Sequence, residues 1–158
     1  MGTVVTDSAQ SIVLEPDARN VLTAALQPWL LAMSSLALVL LADDGASARE
    51  NASLNELRTT LDEIERLALA SVRRTDMVVR CGFFCCALVL LDTGGEGAQC
   101  VVNRLRARLE ESTTRRLPIC IGLAAAPEDA TEAEALIDRA CGCSASRSGA
   151  ARPRRRTR

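Results

Sequence analysis

RRTDMVVRCGFFCCALVLL, residues 73–91, sets the topology. Two apolar runs, DMVVRC (76–81) and CCALVLL (85–91), flank Gly82, Phe83 and Phe84. Two apolar runs joined by a short turn containing Gly form a β-hairpin. A hairpin is an antiparallel pair, so a chain built around one is not doubly wound. The first half of the stretch is charged, with Arg73, Arg74 and Asp76 beside the apolar run. The turn itself holds no acid, base or hydroxyl.

The segments on either side alternate between helix and strand. Residues 17–33 fit a first helix, which Pro28 bends or interrupts. LALVLLA (36–42) is a continuous apolar run of the kind buried on both faces of a sheet, and it ends in the turn signal DDG. Ser53 and Glu56 have capping-box spacing, and Leu54, Leu57, Leu61, Ile64, Leu67 and Val72 follow as one helical stripe. After the hairpin, Thr93 and Glu96 offer a second capping box. Ala98, Val101, Val102, Leu105 and Leu109 give the next stripe. Ile119, Ile121 and Leu123 alternate within LPICIGLA (117–124) as in a strand. Thr131 and Glu134 open a last helix carrying Leu136, Ile137 and Ala140. The order predicts an α/β fold with a mixed central sheet, a hairpin at its centre and helices flanking it.

A chain of 158 residues suits one domain with a sizeable core. The expected division is a flexible leader over 1–16, the folded domain over 17–143 and an Arg-rich disordered tail over 144–158. All nineteen basic residues are Arg, and there is no His, which removes the commonest general base and metal ligand. Six of those Arg lie between Arg147 and Arg158 with no acid among them. Thirteen remain in the body against twenty acids, a net of −7. An acidic body argues against nucleic acid as a partner. The seven Cys sit mostly inside apolar runs, and Cys85, Cys86 and Cys120 read as small buried hydrophobes. A reducing cytoplasm suits them better than a disulfide framework. CGC at 141–143 has no second Cys pair at zinc-finger spacing, so no metal or other cofactor is expected. Val21–Ala42 carries no charge and is about long enough to span a bilayer. Gln27, Pro28, Ser34 and Ser35 within it favour a split into helix and strand at MSS. A membrane-anchored chain is the competing expectation.

The ordered set of strings resembles the GGDEF domain, the diguanylate cyclase family of bacterial second-messenger signalling. The resemblance runs over about residues 17–140 and rests on LALVLLADD, VRRTD, MVVRCGFFCCALVLLD, VVNRLRARL, LPICIGLAAA and EALIDRACGCSAS. The family's Gly-Gly-Asp-Glu-Phe loop aligns with Gly82, Phe83, Phe84, Cys85 and Cys86. In the family, acids of that loop help hold two magnesium ions, a task that needs hard oxygen ligands. Phe84 and Cys85 supply none. Asp43 or Asp44 can fill one place of the first-strand acidic pair, while Leu41 occupies the other. GASARENASLN (45–55) matches the guanine-binding segment poorly, and the opening and closing elements of the family are lost. Cyclase activity is therefore not expected.

The charged half keeps its pattern. Many family members bind the product, cyclic di-GMP, at an inhibitory Arg-x-x-Asp five residues before the Gly-Gly turn. Here Arg73-Arg74-Thr75-Asp76 precedes MVVRC and then Gly82. The family site also uses an Arg on the helix after the hairpin, by position Arg104. A guanidinium can donate two parallel hydrogen bonds to guanine O6 and N7, and it pairs with phosphate. The resemblance thus implies a cyclic di-GMP receptor using Arg73, Asp76 and Arg104, with Arg74 and Arg80 as auxiliaries. It also implies a protein partner in exopolysaccharide, biofilm or motility control, and possible homodimers. Against it stands a surface ion pair between Arg73 and Asp76 at a helix end, in a structural or dimerisation module that binds no nucleotide.

Overall fold

Side chains alternate across a strand, so the apolar runs of this chain present two faces that each need covering. The computed structural model describes residues 12, 14–32, 35–43, 54–81, 85–112 and 119–142. Within them the chain forms α1 (Pro16–Leu31), β1 (Leu36–Asp43), α2 (Leu54–Ser71), β2 (Met77–Arg80), β3 (Cys85–Leu91), α3 (Gly95–Ser112), β4 (Ile119–Ala126) and α4 (Ala133–Gly142). The strands lie in the order β2-β3-β1-β4. This is a split β-α-β arrangement, in which the second strand of the hairpin inserts beside the first strand of the chain.

The α/β class, the hairpin and the flanking helices are as the sequence implies, but the hairpin lies at one edge of the sheet and not at its centre. Among the described residues the sheet is antiparallel throughout rather than mixed. β1 pairs antiparallel with β3, from Leu36↔Leu91 to Ala42↔Cys85, and antiparallel with β4, from Leu36↔Ala126 to Asp43↔Ile119. β2 pairs antiparallel with β3. Strands that run the same way, β1 with β2 and β3 with β4, are each separated by another strand, so no described pair is parallel.

Odd and even positions of the strands build two separate cores. Leu36, Leu38, Leu40, Cys85, Ala87 and Val89 face α1 and α4, meeting Leu22, Leu26, Leu136 and Ile137. Ala37, Val39, Leu41, Cys86, Leu88 and Leu90 face α2 and α3, meeting Ile64, Leu67, Val102 and Leu105. Each fully buried Leu or Ile contributes about 1.5–3 kcal/mol. α4 lies so close to β4 that a Cβ on Gly122 would come 2.0 Å from the Ala140 carbonyl oxygen.

The expected leader over 1–16 is not free at its end. Ile12 and Leu14 are buried in the α1/α4 core, and Ile12 N–H donates to the Cys141 carbonyl at 3.1 Å. The stretch Val21–Ala42 divides as expected, into α1 with Pro28 in its last turn and the strand β1. No helix among the described residues is long and apolar enough to cross a membrane. The Ser53 cap, Gly82, Phe83, Phe84, Asp44, the 45–53 segment, Leu117, Cys143 and the tail lie outside the described residues.

Candidate functional site

α2 ends at Ser71, whose hydroxyl turns back to the Leu67 carbonyl at 2.8 Å. The chain then makes a turn, closed by Asp76 N–H donating to the Arg73 carbonyl at 3.0 Å. That turn presents the Arg73 and Asp76 side chains to Leu91, the last residue of β3. Asp76 Oδ1 accepts the Leu91 N–H at 3.1 Å, and Arg73 Nη2 donates to the Leu91 carbonyl at 2.7 Å. The two side chains thus do for Leu91 what a neighbouring strand would do, two residues beyond the end of the β2 ladder at Val89. Asp76 Oδ2 also accepts the Arg73 backbone N–H at 2.9 Å, and the two side chains form an ion pair. The Asp76 side chain is 2% exposed while that of Arg73 is 59% exposed. The carboxylate is therefore spent inside the fold, and the guanidinium still faces outward.

Arg73 Nη2 reaches Thr93 Oγ1 at 3.0 Å, and the Thr93 hydroxyl donates to the Leu91 carbonyl at 2.9 Å. Thr93 was expected to cap α3. It serves this cluster instead, because α3 starts only at Gly95, where the backbone N–H donates to Glu128 Oε1 at 3.3 Å. Asp92 precedes it at φ 54, the left-handed region that non-Gly residues seldom enter. From α3, Arg104 Nη2 reaches across to the Ser71 carbonyl at 3.4 Å, meeting one of the acceptors that a helix end leaves open. A groove of about 360 Å³ lies between these parts, lined by Ser71, Arg73, Asp76, Asp92, Thr93 and Arg104 together with Gly94 and Gly97.

No family model and no curated protein matches the chain. Solved structures do. The GGDEF domain of YfiN (TpbB) from Pseudomonas aeruginosa is similar at TM-score 0.60 and 23% identity, over 85% of this chain and 83% of that one. The FimX GGDEF domain from the same organism gives TM-score 0.62 at 18% identity, over 85% and 91%. The GGDEF domain of DgcB from Caulobacter crescentus, solved in complex with c-di-GMP, gives 0.53 at 14% identity, over 87% and 85%. The chain has the GGDEF-domain fold.

Within this GGDEF fold, Arg73, Asp76 and Arg104 come together at one groove. Arg74 sits exposed in the turn and does not line it. Arg80, on β2, points instead to α2, where it pairs with Asp62 and donates to Glu65 at 3.1 Å. Leu41, Cys85 and Cys86 stand at positions where the resemblance places acids or the end of the loop. They are buried strand residues, and Leu41 is the register partner of Cys86. Ser71 and Asp92 are groove residues that the sequence did not single out. Asp92 carries no local signal beyond being the acid that ends the β3 run. Thr93 was visible, but its spacing to Glu96 spoke for a cap.

Proposed function

We propose that this GGDEF-fold chain is a catalytically inactive receptor for cyclic di-GMP, which it reads in the groove between α2 and α3. The observation that carries the reading is that Arg73 and Arg104, distant in sequence, line one groove. A guanidinium on each side suits a ligand that offers two guanine edges and two phosphates. The Asp92 carboxylate adds an acceptor for guanine N–H donors. Asp76 acts here as a positioning residue, holding Arg73 from behind. The neighbour solved with c-di-GMP lends the ligand class its plausibility. Inactivity rests on Leu41 and Cys85, which bring no oxygen where metal-bound phosphoryl transfer needs hard ligands. The receptor would act in the cytoplasm on a partner protein, such as part of a polysaccharide or motility system, as a monomer or homodimer.

One observation favours a second reading. The buried Asp76 carboxylate already has its donors within the chain, as a purely structural latch would. Calorimetric titration with cyclic di-GMP separates the two. A receptor binds it, and Arg104→Ala weakens binding about ten- to a hundred-fold, the loss of roughly 1.5–3 kcal/mol of charge-assisted hydrogen bonding. Absence of binding at about several hundred micromolar ligand makes the chain a structural or dimerisation module. Incubation with GTP and magnesium should yield no cyclic di-GMP. Product that disappears when Asp43 and Asp44 are replaced would overturn the inactive assignment.

A further inference from the structure

Four thiols, those of Cys81, Cys85, Cys120 and Cys141, belong to the core between the sheet and α1/α4, and none of them lines the groove. Two of them face each other. Cys81 directly follows β2 and Cys85 opens β3, and Cys81 N–H donates to the Cys85 carbonyl at 2.9 Å. The pair is the next rung beyond Arg80↔Cys86. Both side chains pack in the same core cluster, so they stand on the same face of the hairpin. Directly opposed residues of an antiparallel pair have Cα atoms about 4.5–5.5 Å apart, inside the roughly 4.4–6.8 Å that a disulfide accepts. The neighbouring Cys86 projects to the opposite face and cannot compete for either partner.

The electrostatics divide the roles. A hydrogen bond between the two thiols draws Cys81 below its ordinary range and pushes Cys85 well above it, with burial adding to the upward shift of Cys85. The thiolate is the nucleophile in disulfide exchange, and Cys81 is the thiol of the pair shifted toward that form. Burial, as the largest cause, pushes Cys86 up to about 12 and Cys141 to about 11. Those two behave as inert core thiols.

We propose that Cys81 and Cys85 are a reversible dithiol–disulfide pair that cross-links the end of the β2–β3 hairpin, with a low-molecular-weight disulfide as oxidant. The Cys81 thiolate attacks one sulfur of glutathione disulfide, forming a mixed disulfide and releasing one glutathione thiolate, which takes up the proton Cys81 lost. Cys85 then gives up its proton and attacks the Cys81 sulfur, and the second glutathione leaves with that proton. Two protein thiols are oxidised and one glutathione disulfide is reduced to two glutathiones. Transient disulfides of this kind operate in reducing compartments. Both thiols are shielded in the reduced fold, at 2% and 4% exposure. Reaction therefore proceeds through opening of the last rung, held by one backbone hydrogen bond, and local opening of this kind needs less than global unfolding.

The test is peptide mapping of the full chain. The native protein is incubated with glutathione disulfide, unfolded, alkylated with iodoacetamide and digested. The expected result is loss of alkylation at Cys81 and Cys85 together, in a peptide two hydrogen atoms lighter, with alkylation restored by dithiothreitol. Cys86, Cys120 and Cys141 should stay alkylated. Cys85→Ala removes the resolving thiol, so no peptide two hydrogen atoms lighter should form. Exposed Cys100 reports that the oxidant was active. Full alkylation of Cys81 and Cys85 while Cys100 carries glutathione overturns the proposal, as does a bridge from either residue to a different cysteine.

Discussion

Asp76 shows how much one carboxylate can hold. It joins the turn after α2 to the end of β3 by accepting from Arg73 and Leu91, and its side chain is almost wholly buried. Asp76→Ala leaves a Leu91 N–H without its acceptor, which typically costs about 1–3 kcal/mol. For a chain of this size that is a fall in Tm of roughly 2–12 °C, which thermal denaturation followed by circular dichroism would register. Arg73→Ala should cost less, about 1 kcal/mol or below, because its guanidinium is largely solvated and water replaces part of what is lost. A larger loss in Arg73→Ala than in Asp76→Ala would reverse this assignment of roles. The sequence showed Arg-x-x-Asp in register with the hairpin glycine, and so showed a pair worth examining. It could not show that Asp76 faces inward, because its acceptor duty is owed to Leu91, 15 residues away across the hairpin. A motif fixes identities and spacing, whereas burial depends on what the rest of the fold brings alongside.

At the scale of elements, the helices and strands were legible because their periodicities differ. The stripe Leu61, Ile64, Leu67 reads at helical spacing and does face the sheet. Strand order was not legible. Sequence order counts the directions in which strands run, while adjacency is decided by which edge of β1 the hairpin docks on, and the sheet came out antiparallel throughout its described pairs. The contact of α4 with β4 was equally hidden, since Gly122 sits in a run that reads as an ordinary strand. Adding one methyl there would drive a Cβ into the Ala140 carbonyl. Gly122→Ala should therefore destabilise by about 3 kcal/mol, the upper end of the usual range for overpacking, and lower the urea midpoint accordingly. Gly142→Ala, where a Cβ meets nothing within 4 Å, should stay within about 0.5 kcal/mol of the parent. Equal effects at the two glycines would mean that α4 does not press on β4 as described.

The whole molecule is a sheet sealed between two apolar layers, and that sealing governs its response to alkali. Burial pushes the Cys86 thiol up to about 12, so the fold holds this group neutral where the unfolded chain would ionise it. With the folded value above the unfolded one, the associated stability is complete at neutral pH. It starts to fall once pH passes the ordinary thiol value and is lost as pH approaches 12, at about 1.4 kcal/mol per pH unit for this group. Cys85 and Cys141 shift the same way, while Cys81, drawn down by Cys85, acts in the opposite sense. Urea midpoints at pH 8 and pH 10 should therefore differ, and Cys86→Ala should narrow the difference; midpoints independent of pH would contradict it. The same sheet also sets a clock. β1 has a strand on each side along its length, whereas β2 is four residues long and, among the described strands, is bonded only to β3. In deuterated solvent the amides of β1 should be the last to exchange, through global unfolding alone, while those of β2 exchange through hairpin opening. The interval between the two gives the free energy that separates loosening the hairpin from losing the domain.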